Sequence, residues 1–319
     1  LFEDDQQSDA DAAAWALQPI PIYPATSTVA SWQIAKAIEL VLPLIAGVED
    51  PIPEHVRVER KLIDFETALR WVHQPSLDSE WQQARDALRF AEALTLQTAL
   101  LERRAQALKL QATPRTAGVL LAGFDANLPF TLTDDQAHVG AEIQADLEKS
   151  TPMNRLVQGE VGSGKTLVAL RAMLQVAESG GQAALLAPTE VLAAQHLRSI
   201  TKVLGPDLAA TLMPTLVTGQ LPAAEKRQAL LRVVSGQSRI VVGTHALLTD
   251  KVEFFDLGLV VVDEQHRFGV EQRQALRLKA VNTPHALVLT ATPIPRTVAM
   301  TVFGDLDVSV IAQLPSGRA

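Results

Sequence analysis

Two hydrophobic periods divide this chain of 319 residues. Between Ser31 and Leu110, apolar side chains recur every three or four positions, the spacing of one helix face. Ile34, Ile38, Val41, Leu42 and Ile45 form one stripe, and Leu62, Phe65, Leu69 and Val72 form a second. A long third helix is expected from Ser79 to Leu110, through Trp81, Ala84, Leu88, Ala91, Leu94, Thr98, Leu101, Ala105 and Leu108. Ser79 and Gln82 read as a capping box at its start. Arg103, Arg104 and Lys109 sit at its far end, where cations complement the helix dipole. Ahead of these helices, Leu1 to Gln18 is acidic without a basic residue and reads as a flexible loop or insertion. The prolines of Pro19 to Pro24 demand extended backbone.

Beyond Pro129 the pattern changes. Short apolar runs at 156–157, 183–187, 215–218, 240–243, 259–263 and 286–290 alternate with helical stretches, notably Thr166 to Glu178, Val191 to Val203 and Ala223 to Val234. This βαβ repetition predicts an α/β fold whose mainly parallel sheet is covered on both faces. Gln111 to Asn127 reads as a linker. The expected organisation is an acidic loop and extended tail over 1–28, a helical linker region over 29–117, and a nucleotide-binding domain over 118–319.

Composition narrows the chemistry. There is no cysteine, which excludes disulfides and thiolate metal sites. No apolar run approaches the ~20 residues of a membrane span, and the N-terminus lacks the pattern of a signal peptide. A cytoplasmic protein without a membrane partner is expected. The chain begins at Leu1, which suggests a piece of a longer protein. The formal net charge of −8 argues against a basic nucleic-acid coat. It leaves DNA binding open, because backbone amides and a few side chains can hold phosphates.

Gly159-Glu160-Val161-Gly162-Ser163-Gly164-Lys165-Thr166 fits the phosphate-binding loop G-x-x-x-x-G-K-[ST], between an apolar strand and a helical stretch. Its glycines allow close wrapping of an anion, and its amides and the following helix N-terminus direct partial positive charge at phosphates. Lys165 is expected to reach the β and γ phosphates of ATP, and Thr166 to bind Mg²⁺. Asp263 and Glu264 end a later apolar run. In these positions Asp263 would hold the metal and Glu264 would polarise the attacking water.

Further strings carry a family resemblance. Asp263-Glu264-Gln265-His266 resembles the D-E-x-H box of superfamily 2 helicases, and Thr290-Ala291-Thr292 resembles their coupling motif. Pro188-Thr189-Glu190, Thr218-Gly219 and Gly243-Thr244-His245 resemble segments that contact the nucleic-acid backbone, although threonines are also common cap and turn residues. Phe130 to Gln136 resembles the element that reads adenine through a glutamine, here Gln136. The strings 263–270 and 290–297 are similar to the RecG family of branch-migration helicases, and the likeness extends upstream from Tyr23. The transcription-repair coupling family is the nearest competitor. It shares 290–297 but typically has Glu-Gln where this chain has Gln265-His266, and an aromatic at Ser163.

The resemblance implies a first RecA-like motor lobe, the tail of an upstream wedge domain, and a second lobe supplying an arginine finger. His266 would join catalysis by linking the nucleotide site to the motor, Arg296 would serve as a local cap or interface partner, and the chain alone would be nearly inactive. The leading functional expectation is an ATP-dependent translocase on branched DNA, at forks and Holliday junctions. The alternatives are a translocase coupled to transcription, or a nucleotide-switched helical adaptor without unwinding activity.

Overall fold

A computed structural model describes residues 19–249, 252–263, 282–291 and 306–315. The chain divides into two compact units, 1–100 and 101–319.

In the first unit, Pro19 to Thr26 has no regular structure. Helix α1 (Ser31–Val41) runs into a 3₁₀ turn at Leu42–Ile45, followed by α2 (Glu54–Glu59), α3 (Phe65–His73) and the first part of α4 (Asp78–Ala107). Asp64 caps α3 by accepting from the amide of Thr67 at 2.9 Å, so Leu62 of the second apolar stripe lies ahead of that helix. The expected box of Ser79 and Gln82 is replaced. The helix starts at Asp78, and the Glu80 carboxylate reaches back to the amides of Ser76 (2.7 Å) and Leu77 (3.4 Å). Ala68, Ala84 and Ala87 form a small core, with Leu62, Ile63, Trp71, Val72 and Leu88 packed on it.

The second unit contains α5 (Val119–Ala126), α6 (Asp134–Leu147), β1 (Asn154–Gly159), α7 (Lys165–Glu178), β2 (Gln182–Leu186) and α8 (Glu190–Leu212). These are followed by β3 (Thr215–Val217), α9 (Ala223–Val234), β4 (Ile240–Gly243), a 3₁₀ turn at His245–Leu248, β5 (Leu257–Asp263), β6 (His285–Thr290) and β7 (Asp307–Ile311). The segment expected as linker therefore contains helix α5. Glu178 supplies its cap by accepting from the amides of Gly118, Leu120 and Leu121 at 2.9, 2.7 and 3.2 Å.

The described strands form one all-parallel sheet in the order β3-β4-β2-β5-β6-β1-β7. Strand side chains alternate between two cores, as the pleat requires. Val157, Ala183, Leu185, Leu259, Val261, Leu287 and Leu289 pack with α5 to α8. Leu156, Ala184, Leu186, Val260, Val262 and Val288 face α9 and the 3₁₀ turn. Each wholly buried Leu or Val contributes about 1.5–3 kcal/mol, which explains why the strands read as unbroken apolar runs. Arg115 ties the stretch before α5 to this unit. Its guanidinium donates to Asp256 at 2.8 and 2.7 Å, and its backbone amide to Leu147 O. Among the described residues, no helix is long and apolar enough to cross a membrane.

Candidate nucleotide and nucleic-acid sites

In an open parallel sheet, ligands meet the carboxyl ends of the strands. Here every sequence-predicted site residue that is described lies at that edge or against it. Gly159 ends β1, Asp263 ends β5 and Thr290 ends β6. β6 lies between β1 and β5. Leu289 is in register with both Val157 and Asp263, so the phosphate loop and the carboxylate flank the end of one strand. At ~4.8 Å per strand step, their backbones stand about 10 Å apart, a gap that a metal and phosphate can span.

The loop geometry follows from its glycines. Gly162 and Gly164 have φ of +91° and +86°, in the left-handed region where a side chain is strained. A Cβ on Gly164 would also collide with the Gln136 amide. The turn is closed by Ser163 N donating to Glu160 O at 3.1 Å, and Ser163 is wholly buried while Val161 is 84% exposed. Gly164 is the N-cap of α7, and no side chain caps that helix. No side chain therefore competes with an anion at that N-terminus, which the dipole also favours. Lys165 Nζ folds over the loop and donates to Gly159 O (2.6 Å) and Glu160 O (2.9 Å), which keeps a cation at the centre of the cradle. Thr166 follows in the first helical turn.

Gln136 is only 2% exposed. Its carbonyl oxygen accepts from Thr133 N at 3.0 Å, completing the capping box of α6, and its NH₂ donates to Ser163 O at 2.7 Å. One N–H and one lone pair of the amide remain for another partner. Asp135, beside it, accepts from the amides of Ala312 and Gln313 at 2.8 Å each, pinning the chain after β7. Asp263 Oδ2 meets Nε2 of His196, from α8, at 2.7 Å.

Thr166 and Asp263 offer hard oxygen donors, the type that Mg²⁺ prefers. Among the described residues no group of three or more His, Asp or Glu side chains could enclose a metal by itself.

The predicted nucleic-acid contacts lie at the ends of β2, β3 and β4. Thr189 is exposed and caps α8, accepting from Leu192 N at 3.3 Å. Thr244 is buried and caps the 3₁₀ turn, accepting from Ala246 N at 3.5 Å, with His245 exposed beside it. Thr218 is buried, and Gly219 is exposed with its amide donating to Glu190 Oε1 at 2.9 Å. Glu264, His266, Thr292 and Arg296 lie outside the described residues. Sequence reading missed strand β7, the anchor at Asp135 and the His196–Asp263 pair. The only trace of that pair in the sequence is a histidine two turns beyond Pro188-Thr189-Glu190.

Residues 133–301 match the model of the DEAD/DEAH box helicase family. The chain is 50% identical over 311 residues to ATP-dependent DNA helicase RecG of Mycobacterium tuberculosis, covering 93% of this chain and 42% of that relative. It is 45% identical over 303 residues to the protein of the same name from Synechocystis, covering 94% of this chain and 36% of the relative. The chain thus spans less than half the length of the curated relatives it matches. A solved structure of RecG bound to a three-way DNA junction superposes with a TM-score of 0.76 at 36% identity, over 94% of this chain and 40% of that one. The fold is the RecA-like helicase fold.

Proposed function

The chain belongs to the DEAD/DEAH box helicase family, and from that premise we propose that it is the ATP-binding motor lobe of a translocase acting on branched DNA. The observation that carries the nucleotide half is the uncapped N-terminus of α7 behind two positive-φ glycines, on the same sheet edge as Asp263. The branched-DNA half rests on similarity to RecG over nearly the whole chain. That similarity favours this reading over a transcription-coupled translocase or a nucleotide-switched adaptor.

In this reading the loop amides and the α7 N-terminus hold the β and γ phosphates of ATP, and Lys165 exchanges its carbonyl partners for phosphate oxygens. Thr166 and Asp263 would hold Mg²⁺, which would supply positive charge against the triphosphate. Glu264, next after Asp263, orients the attacking water. Gln136 braces the loop and offers its spare N–H and lone pair to the adenine edge. Thr189, Thr218, Gly219, Thr244 and His245 face the DNA backbone. Thr290, on the strand end between the loop and Asp263, passes nucleotide state to the motor together with Thr292, and His266 assists. We assign 118–319 to the motor lobe, 29–117 to a helical region joining it to an upstream wedge domain, and 1–28 to the tail of that domain. The second lobe would belong to the same polypeptide and supply an arginine finger. A cytoplasmic location goes with the DNA substrate.

Titration of a fluorescent ATP analogue in the presence of Mg²⁺, followed by phosphate release with linear and three-way-junction DNA, tests the proposal. Expected are Mg²⁺-dependent binding, junction binding that falls steeply with salt, and little hydrolysis by this chain alone, because an arginine finger contributes about 10³–10⁵ in rate. Absence of nucleotide binding would overturn the site assignment. Equal affinity for RNA and junction DNA would overturn the substrate.

A further inference from the structure

The carboxylate of Asp263 is held from the side by a residue that none of the helicase-like motifs explains. His196 Nε2 lies 2.7 Å from Asp263 Oδ2, with the two side chains only 14% and 17% exposed. An ionised carboxylate only accepts, so Nε2 carries the proton and donates it into the hydrogen bond. This fixes the imidazole tautomer, locks the aspartate rotamer and occupies Oδ2, leaving Oδ1 as the uncommitted oxygen of that pair.

The fold explains why a residue of α8 reaches this point. β2 pairs with β5, Leu186 in register with Val262, and α8 departs from the end of β2. Its second turn therefore passes over the neighbouring strand end, where Asp263 lies. The first turn of the same helix carries Thr189 as its cap and Glu190, whose Oε1 accepts from the amides of Gly219 (2.9 Å) and Gln220 (3.2 Å). From Thr189 to His196 the helix advances about 10 Å at 1.5 Å per residue. One helical segment thus holds the β3 loop at its tip and the acidic ligand two turns further on.

We propose that His196 is a positioning residue. It orients Asp263 so that Oδ1 serves Mg²⁺ bound with nucleotide, and it links that ligand to the sheet edge carrying Thr189 and Gly219. The inference rests on the ATP–Mg²⁺ reading of Asp263 made above. Residues that orient a metal ligand in this way are worth about 10–100-fold in metal affinity or activity.

The test measures binding of a fluorescent ATP analogue by the 319-residue chain, first across a Mg²⁺ titration and then in EDTA. Three variants are compared with wild type: His196→Ala, His196→Leu, which fills volume but cannot donate, and His196→Gln, whose amide can. Thermal melting establishes that each is folded. Should the alanine variant fail to fold, the leucine and glutamine pair decides. The Mg²⁺ concentration for half-maximal binding should rise about 10-fold or more in the alanine and leucine variants, and return most of the way in the glutamine variant. Affinity in EDTA should be unchanged throughout. A leucine variant that titrates like wild type overturns the proposal. Equal defects in the leucine and glutamine variants also overturn it, because packing rather than donation would then be responsible. A wild-type chain that binds nucleotide without Mg²⁺ dependence would overturn the metal assignment of Asp263 itself, and the positioning role with it.

Discussion

The two halves of the carboxyl edge treat their backbone amides in opposite ways. At the ends of β2, β3 and β4, side chains take the amides of Leu192, Ala246, Gly219 and Gln220. Thr189 caps α8, Thr244 caps the 3₁₀ turn, and Glu190 takes the amides of Gly219 and Gln220. At the end of β1, the helix that follows has no side-chain cap, and a glycine in the left-handed region stands in the cap position. Orphan amides at a helix start need a partner. The first half takes side-chain caps from the protein, and the second has none that would compete with an external anion. Threonines at the first half can cap and touch phosphate together, whereas at the loop a cap would compete directly with the ligand.

The sharpest way to break this contrast is Lys165→Ala. With the loop left without its cation, affinity for a fluorescent ATP analogue should fall by about 10- to 100-fold, since hydrogen bonds to charged groups contribute about 1.5–3 kcal/mol. The melting temperature should hardly move. Unchanged affinity would mean that the amides, not the lysine, carry binding. On the closed half, Thr189→Ala should cost about 1 kcal/mol in urea unfolding and leave nucleotide binding intact. Thr189→Asn, which can still cap, should recover most of the stability. If alanine is neutral, the cap at α8 contributes nothing and the two halves are less different than they look.

Gln136→Ala tests the β1 half alone, because its amide joins the α6 cap to Ser163 O in the loop. We expect the preference for ATP over GTP to relax several-fold, in line with a polar site losing a specific hydrogen-bond partner. Competition between the two nucleotides measures it. A wild-type chain that binds both equally would remove adenine reading from Gln136 and leave only its bracing role.

The smallest effect comes from the opposite edge of the sheet. His285 enters β6 with Nδ1 accepting from Met153 N at 3.0 Å. Burial, the main influence, holds its imidazole below the usual histidine range. As pH drops through about 6.5 the unfolded chain binds a proton that the folded chain refuses, so stability falls with decreasing pH until the folded-state pKa is also passed. The slope for one such group cannot exceed about 1.4 kcal/mol per pH unit. Urea midpoints at pH 7.5 and 5.5 should differ less in His285→Gln than in wild type. An identical pH dependence would show that other groups control it.

Periodicity and spacing were enough to locate the strands β1 to β6, the helices α7 to α9 and the glycine-rich turn between β1 and α7, because these features are written in local order. A parallel strand buried on both faces must be an apolar run, and a loop that wraps phosphate must hold glycine where φ is positive. Cap chemistry was less legible. Ser79 looked like a helix start, but Glu80 captured the amides of Ser76 and Leu77 instead. Helix α5 was hidden because its cap, Glu178, comes from the end of α7. β7 was hidden because Asp307–Ile311 alternates buried and exposed positions at the sheet edge rather than forming a solid apolar run.

By itself, then, the sequence determined the α/β class and marked the glycine-rich loop after β1 and the acidic end of β5 as candidates, since each depends on neighbours within a few positions. Only the tertiary structure decided the strand order that sets β6 between β1 and β5, the clamp of Arg115 on Asp256, and the approach of His196 to Asp263. These join residues 67 to 141 positions apart or strands distant in sequence. Such pairings follow from which helix crosses which strand, and no local pattern of hydrophobic and polar residues encodes that.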